Sequence, residues 1–312
     1  MSEIPLIAVV GPTASGKTKL GVEIAKKYNG EVVSADSMQI YKGMTIASAA
    51  PTKEEMHGIP HHLIGFLPME RSFSVYDYVN LANKEINDIV SRNKQPILVG
   101  GTGLYVNSVT NGINFMSSGA NEELRQKLCD EMDKIGAENM LLKLRQIDKE
   151  TADRLHPNDR HRIIRAFEIY MTSGISKTQQ DINSRKDKPA YNTLFIGLNF
   201  KDRQKLYDRI NMRVDRMLED GLLKEAESTL NLSEKSGAIQ AIGHKELHTY
   251  LRGEKDYDTA VEDLKRGTRR YAKRQLTWFK KNDNINWIYL DETENPLSQA
   301  EQIIERYRHK NG

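Results

Sequence analysis

The sequence predicts an α/β protein, a parallel sheet flanked by helices and interrupted by an all-helical insertion. Short apolar runs recur at 6–10, 32–35, 96–99, 193–198 and 287–290, and helical patterns alternate with them at 17–28, 74–92 and 206–230. Between 117 and 189 no strand pattern appears. Strands that alternate with helices build a doubly wound parallel sheet. With 312 residues the chain can bury one large core and still carry an insertion. The core is expected over 1–116 and 191–312, and the insertion over 117–190.

The first strand runs into Gly11-Pro12-Thr13-Ala14-Ser15-Gly16-Lys17-Thr18, which fills each fixed position of a phosphate-binding loop and makes the core P-loop NTPase-like. A buried strand delivers the chain into a turn whose amides point inward, and a helix then aims its positive end at the anion. Gly11 and Gly16 relieve the sterics of that turn, Lys17 supplies a point charge, and Thr18 offers a hydroxyl to a magnesium ion. Whether the ligand is a nucleotide or another diphosphate stays open.

Ligands of open parallel sheets lie beyond the C-terminal strand ends. After the second strand comes Asp36, within Ser34-Ala35-Asp36-Ser37-Met38-Gln39, which can serve as a proton acceptor or as a helix-cap or turn residue. After the third comes Gly100-Gly101-Thr102-Gly103, where small residues allow close backbone approach to a ligand and Thr102 offers a donor; a plain turn accounts for the glycines as well. The third strand ends in Gly100 and the fourth in Asn199, not in the acid that a motor uses to hold its magnesium shell. That argues against an ATP-hydrolysing motor and leaves a small-molecule kinase open, with Asp36 as its base.

Within the insertion, helices are expected at 122–134, 137–145 and 158–172. Asn158 is the expected N-cap of the last, with Ile163, Phe167 and Tyr170 as its apolar stripe and Arg162 and Arg165 on another face. Near the C-terminus, residues 265–281 carry many cations with Tyr271, Trp278 and Phe279. This is either a polyanion-binding helix whose aromatics stack on unpaired bases, or an amphipathic helix with its aromatics in the core and its cations solvated.

Charged residues make up 29% of the chain yet leave a net charge of only +3, so any nucleic-acid site must come from local clustering. The single cysteine, Cys129, excludes an intrachain disulfide and a cysteine-based zinc module and fits a reducing compartment, so a cytoplasmic location is expected. The apolar run at 4–10 is too short to span a bilayer, and no membrane association is expected. His57, His61, His62 and His156 do not form a ligand set by spacing.

The phosphate loop, Asp36-Ser37-Met38-Gln39-Ile40-Tyr41, Pro60-His61-His62-Leu63 and Gly100-Gly101-Thr102-Gly103-Leu104-Tyr105 appear in one order. His156-Pro157-Asn158-Asp159-Arg160, Leu206-Tyr207-Asp208-Arg209-Ile210 with Arg213, Ala241-Ile242-Gly243 and the stretch 268–279 follow. Over nearly its whole length the chain resembles the tRNA isopentenyltransferase family, the tRNA dimethylallyltransferases, of bacterial type. The resemblance implies that Gly11, Pro12, Thr13, Ala14, Ser15, Gly16, Lys17 and Thr18 bind dimethylallyl diphosphate with Mg2+ at Thr18. It also implies that the acceptor is N6 of the adenosine 3′ to the anticodon. Asp36 would take the amine's proton, while Lys17, Thr13, Arg209 and Arg213 would stabilise the leaving diphosphate.

By the same correspondence Asp36, Ser37, Met38 and Gln39 line a pocket for a base turned out of its stack. Thr102, Arg125, His161, Arg162, Ile163, Ile164, Arg165, Gln240, Ala241, Ile242, Gly243, His244 and Lys245 would contact tRNA, the insertion gripping the anticodon stem-loop, and the enzyme is expected to be a monomer. The chain departs from the family pattern at residues 46–50, where Ile-Ala-Ser-Ala-Ala replaces Ile-Gly-Thr-Ala-Lys, at Gly65 for Asp, and at His244 for Tyr. These departures put tRNA affinity in question more than the reaction. Prenylation of free adenine nucleotides, a metabolite kinase and a non-catalytic RNA-binding protein are the alternatives.

Overall fold

The computed structural model describes residues 4–113, 121–184, 191–233 and 236–311. The chain divides into two compact units, Met1–Thr110 with Ala190–Gly312, and Asn111–Pro189. The domain boundary expected between 116 and 117 lies outside the described residues.

In the first unit, β1 (Ile4–Val10) leads to α1 (Lys17–Lys27), β2 (Gly30–Ser34), the one-turn α2 (Lys53–Met56) and the two-residue β3 (His61–His62). α3 (Val75–Ser91), β4 (Gln95–Gly100) and α4 (Gly103–Thr110) follow. Among the described residues six strands form one all-parallel sheet in the order β3-β2-β4-β1-β5-β6; the last two are Tyr191–Asn199 and Ile285–Tyr289. β1 is central, and Leu6 through Val10 are all buried, which is why this strand reads as an unbroken apolar run and not as an alternation. β3 escaped the sequence reading because two residues carry no periodicity.

One face of the sheet packs Val9, Ile97, Ile196 and Ile288 against Leu20 and Ile24 of α1 and Ile304 of the C-terminal helix, Pro296–Asn311. Elsewhere in this unit Tyr78 of α3 stacks on Tyr105 of α4, their rings 3.9 Å apart, and its hydroxyl donates to Ser34 O at 3.0 Å. Ser74 starts α3 with a capping box to Asp77.

In the second unit, α5 (Glu122–Ile135), α6 (Ala137–Ile147), α7 (Lys149–Arg154), α8 (Arg160–Ser173) and α9 (Lys177–Ser184) close on Leu128, Met132, Met140, Leu144, Ile163 and Phe167. Among its described residues this unit is helical throughout. Asn158 is not the cap of α8: the helix begins at Arg160 after Asp159, and Asn158 donates its amide to His156 Nδ1. Tyr170, expected on the buried stripe, is exposed.

Returning to the first unit, the helix expected over 206–230 is two helices, α10 (Arg203–Glu219) and α11 (Leu222–Ser228). Gly221 separates them at φ 100°, a left-handed conformation that glycine reaches without strain. A 3-10 turn at Gly237–Gln240 leads to α12 (His244–Leu251) and α13 (Tyr257–Phe279), which precedes β6; the C-terminal helix is α14. Among the described residues no helix is long and apolar enough to cross a membrane.

Candidate active site

The C-terminal ends of β1, β2 and β4 open into one cavity of about 1370 Å³, lined only by residues of the first unit. The phosphate loop joins β1 to α1 along this lining. Gly11 takes φ 145°, and a Cβ there would meet Leu198 O at 2.4 Å, so this position needs glycine on two counts. Ala14 at φ 62° and Gly16 at φ 79° complete the turn, and Ser15 Oγ braces it by donating to Pro12 O at 2.8 Å. Lys17, the first residue of α1, also donates to Pro12 O, at 2.6 Å.

Burial, and secondarily the charge of Arg213, pull the Lys17 ammonium down to about 7, while Asp36 opposes them. Arg213 of α10 is likewise lowered by burial, against the pull of Asp36 and Glu55. One turn earlier, Arg209 donates Nε–H to Ala14 O at 3.1 Å with its guanidinium 5.7 Å from the Phe200 ring. α10 therefore turns two arginines towards the phosphate loop. The cavity holds a concentration of positive charge whose mutual repulsion an anion would relieve.

Not every loop amide faces the cavity. Thr13 N–H donates to Gln275 Oε1 at 2.8 Å, and Gln275 Nε2 donates to Gly101 O at 3.0 Å, so one buried carboxamide from α13 ties the phosphate loop to the end of β4. The Gly100-Gly101 turn is packed against protein: a Cβ on Gly100 would fall 2.1 Å from Ala35 O, and one on Gly101 2.1 Å from Gln275 Nε2. These two glycines seat the β2 and β4 ends against each other and against α13.

Asp36 caps no helix. Its Oδ1 accepts the Met38 amide at 2.9 Å, which is the turn reading, while Oδ2 carries no hydrogen bond among the described residues and the side chain lines the cavity. Thr102, expected as a donor to ligand, accepts the Ser37 amide at 3.0 Å and so locks the Asp36 turn to the β4 turn. Gln39 Oε1 accepts from Ser34 Oγ at 2.8 Å. Tyr271 of α13 also lines the cavity; burial first, then Asp36, push its phenol up.

The basic segment divides between the two readings. Phe279 is in the core, Tyr271 in the cavity, and Trp278 is 37% exposed and packed over Gly103. Lys265 pairs with Asp215 at 2.7 Å and Arg266 with Asp263, whereas Arg270, Lys273, Lys280 and Lys281 make no ion pair among the described residues.

Among the residues expected to meet tRNA, Gln240, Ile242 and Lys245 line the cavity. Ala241 and His244 do not offer their side chains to a partner, being 2% and 0% exposed. Ile163 and Ile164, 0% and 5% exposed, are core residues of the second unit, where apolar burial outweighs any surface role. Arg125 and Arg165 both pair with Glu168, at 2.5 Å and 3.1 Å. Burial pushes the Glu168 carboxyl up, but these arginines outweigh it and leave it below the usual carboxylate range. His161 and Arg162 are exposed on the first turn of α8.

His61 donates Nδ1–H to Ile59 O at 2.8 Å, and His62 sits between Glu31 and Glu85. Among the described residues no group of three or more His, Cys, Asp or Glu side chains is placed to hold a metal. Sequence reasoning missed Gln275 and Glu225, and named Tyr271 only as an aromatic of the basic segment. Gln275 and Glu225 are polar residues on otherwise buried helical stripes, the signal by which they could have been found.

A family model described as IPP transferase matches residues 39–282. The chain is 47% identical over 306 residues to a protein of Caldanaerobacter subterraneus subsp. tengcongensis named tRNA dimethylallyltransferase, covering 97% of each. It is similar to the solved tRNA isopentenylpyrophosphate transferase of Bacillus halodurans, with 42% identity, a TM-score of 0.71, and 98% and 96% of the two chains covered. A eukaryotic dimethylallyltransferase solved acting on tRNA matches with a TM-score of 0.81 at 28% identity, over 96% of this chain and 78% of its own.

Proposed function

The chain belongs to the IPP transferase family and is an enzyme of tRNA prenylation, and from that premise we propose the reaction it carries out. It transfers the dimethylallyl group of dimethylallyl diphosphate to N6 of the adenosine at tRNA position 37, beside the anticodon. The observation that carries this reading is the convergence of Asp36, Lys17 and Arg213 on one cavity.

The exocyclic amine of adenine is a poor nucleophile because its lone pair is delocalised into the ring, so removal of its proton as the new bond forms lowers the barrier. Asp36 is suited to that step, since Met38 holds one carboxylate oxygen and leaves the other to accept the proton. N6 attacks C1 of the dimethylallyl group, the C1–O bond breaks, and its electron pair leaves with diphosphate. Lys17, Arg213 and Arg209 lie where that growing negative charge can be met by fixed cations, and the loop amides other than Thr13 add their dipoles. Magnesium binds such sites through few protein ligands and the substrate's own phosphates, and the Thr18 hydroxyl on the cavity lining fits that pattern. Such an ion would neutralise charge on the leaving diphosphate.

Residues 36–39 would receive the adenine turned out of the anticodon loop, with the cations of α13 and α8 binding the RNA backbone. We take the enzyme to act as a cytoplasmic monomer. The test is transfer of a radiolabelled dimethylallyl group from its diphosphate to unmodified tRNA in magnesium, with Asp36→Ala and a tRNA lacking the adenosine beside the anticodon as controls. Label only with intact protein and intact adenosine supports both reaction and site. Prenylation of free AMP, or ATP-dependent phosphorylation of a metabolite without label in tRNA, would overturn the reading.

A further inference from the structure

The cavity lining at residues 45–50 is held by a carboxylate far away in sequence. Glu225 of α11 accepts the Ile46 amide at Oε2 and the Ala47 amide at Oε1, each at 2.8 Å. Two successive amides aimed at one point form a small anion-binding nest, and here the nest is filled internally. The Glu225 side chain is 7% exposed, so both amides and both carboxylate oxygens depend on one another for satisfaction.

His244, fully buried at the start of α12, brings Nε2 within 3.0 Å of Glu225 Oε1. An ionised carboxylate only accepts, so Nε2 carries the proton. With Nε2 protonated the other ring nitrogen accepts, and the Thr229 hydroxyl, 3.1 Å away, is placed to donate to it, which fixes the imidazole at both ends. Burial pushes the Glu225 carboxyl up, but hydrogen bonds from His244 and the two amides outweigh it and keep it ionised.

The 45–50 loop passes this constraint on. Ala49 N–H donates to Ile46 O at 2.9 Å and Ala50 N–H to Thr45 O at 3.0 Å, closing the loop on itself. Its outer carbonyls, Ser48 O and Ala49 O, accept from Gln39 Nε2 at 3.4 Å and 3.3 Å, while Ser34 Oγ holds the other end of the same carboxamide. Gln39 is thereby oriented through a continuous run of hydrogen bonds that starts at His244. None of these bonds reaches residues 11–18.

We propose that Glu225, with His244 behind it, is a positioning residue for the acceptor side of the reaction: it holds the 45–50 loop so that Gln39 meets the target nucleotide. The proposal rests on the tRNA-prenyltransferase reading of the site. Because the run of bonds bypasses the phosphate loop, its loss acts on one substrate and spares the other.

Steady-state kinetics with tRNA and dimethylallyl diphosphate varied in turn test this on His244→Leu, His244→Gln, Glu225→Gln and Gln39→Leu. His244→Leu should raise KM for tRNA by about tenfold, the order expected when a binding group is misplaced. KM for dimethylallyl diphosphate should stay within about twofold of wild type. His244→Gln keeps a donor towards Glu225 and should recover most of the loss, which a purely structural role of the ring would not allow. The effects of His244→Leu and Gln39→Leu should be strongly non-additive, as for residues acting through one another. Thermal melting checks folding; if Glu225→Gln does not fold, the Leu and Gln pair at 244 carries the test alone. Equal shifts in both KM values, no recovery with Gln at 244, or effects at 39 and 244 that simply multiply would each overturn the proposal. A wild-type protein that moves no label into tRNA would instead overturn the functional reading on which the proposal rests.

Discussion

Along one part of the cavity lining, consecutive residues from Gly11 to Thr18 supply the turn, the amides, a lysine and a hydroxyl. Along another, the loop at 45–50 takes its shape from Glu225, 178 and 179 residues further on, and from His244 behind it. The first is a local structure whose backbone angles at Gly11, Ala14 and Gly16 select the residues that can stand there. The second, although Ala49 takes a left-handed φ of 45°, is a tertiary structure held by a side chain distant in sequence. The lesson is that recognition of a chemical group common to many substrates can be written in a short motif, whereas recognition of a particular macromolecule is distributed over distant pieces of chain.

If the phosphate-loop region handles the donor and the region around Asp36 and Gln39 the acceptor, substitutions should divide accordingly. The largest expected effect is at Asp36, which serves the chemistry between them. Asp36→Asn retains a carbonyl oxygen for the Met38 amide but no base, and kcat should fall by about 10²–10⁴ with KM for the diphosphate little changed. Single-turnover transfer measures this; a full-rate Asn variant would remove Asp36 from the chemistry.

Next comes Lys17→Met, for which a loss in kcat/KM of about 10²–10³ is expected, the range for removing a preorganised group that stabilises a leaving anion. A matching rise in KM for tRNA would break the division between donor and acceptor regions. Gly100→Ala sharpens it from the side of stability. Its new Cβ would lie 2.1 Å from Ala35 O, a backbone atom that cannot yield without shifting the Asp36 turn. A loss of about 1–3 kcal/mol is expected, read by urea unfolding.

Gln275→Leu unties Thr13 from Gly101, a long-range hydrogen-bonded bridge reaching the phosphate loop from α13. Fluorescence titration with dimethylallyl diphosphate should show weakening by about tenfold.

The remaining expected effect, a pH dependence, needs no substitution. Burial and Arg213 hold Lys17 at about 7 in the free enzyme, and bound diphosphate favours its charged form. Below that value the lysine is charged with or without ligand, and KM for the diphosphate is flat. As pH rises through it, binding must take up a proton, so KM climbs by up to about tenfold per pH unit until the pKa of the complex is reached. Profiles from pH 6 to 9 compared with Lys17→Met, which lacks the titrating group, check the sign; a flat wild-type profile would show that Lys17 is charged throughout.

Much of this was legible before the structure. The sheet's long strands are apolar runs because both of their faces are covered, and the loop from Gly11 to Thr18 announces its own geometry. Asp36 was found by its place at a strand end. The break at Gly221 was not seen, because the apolar spacing of α10 continues into α11 and hides one positive φ. Ile163 and Ile164 were grouped with the arginines beside them, yet a helix turns about 100° per residue and carries such neighbours to different faces. For His244 the motif gave the place but not the role: it is buried against Glu225, where it can support a surface without forming one.

By itself the sequence determined the alternation of the long strands with helices, the phosphate loop and the family, because apolar periodicity and restricted backbone angles act between near neighbours. Only the tertiary structure decided that Gln275 takes the Thr13 amide, that α10 sends Arg209 and Arg213 to the phosphate loop, and that Glu225 shapes the lining beside Gln39. A buried polar group must find its partner wherever the fold brings one within hydrogen-bond distance, and that distance is unrelated to separation along the chain.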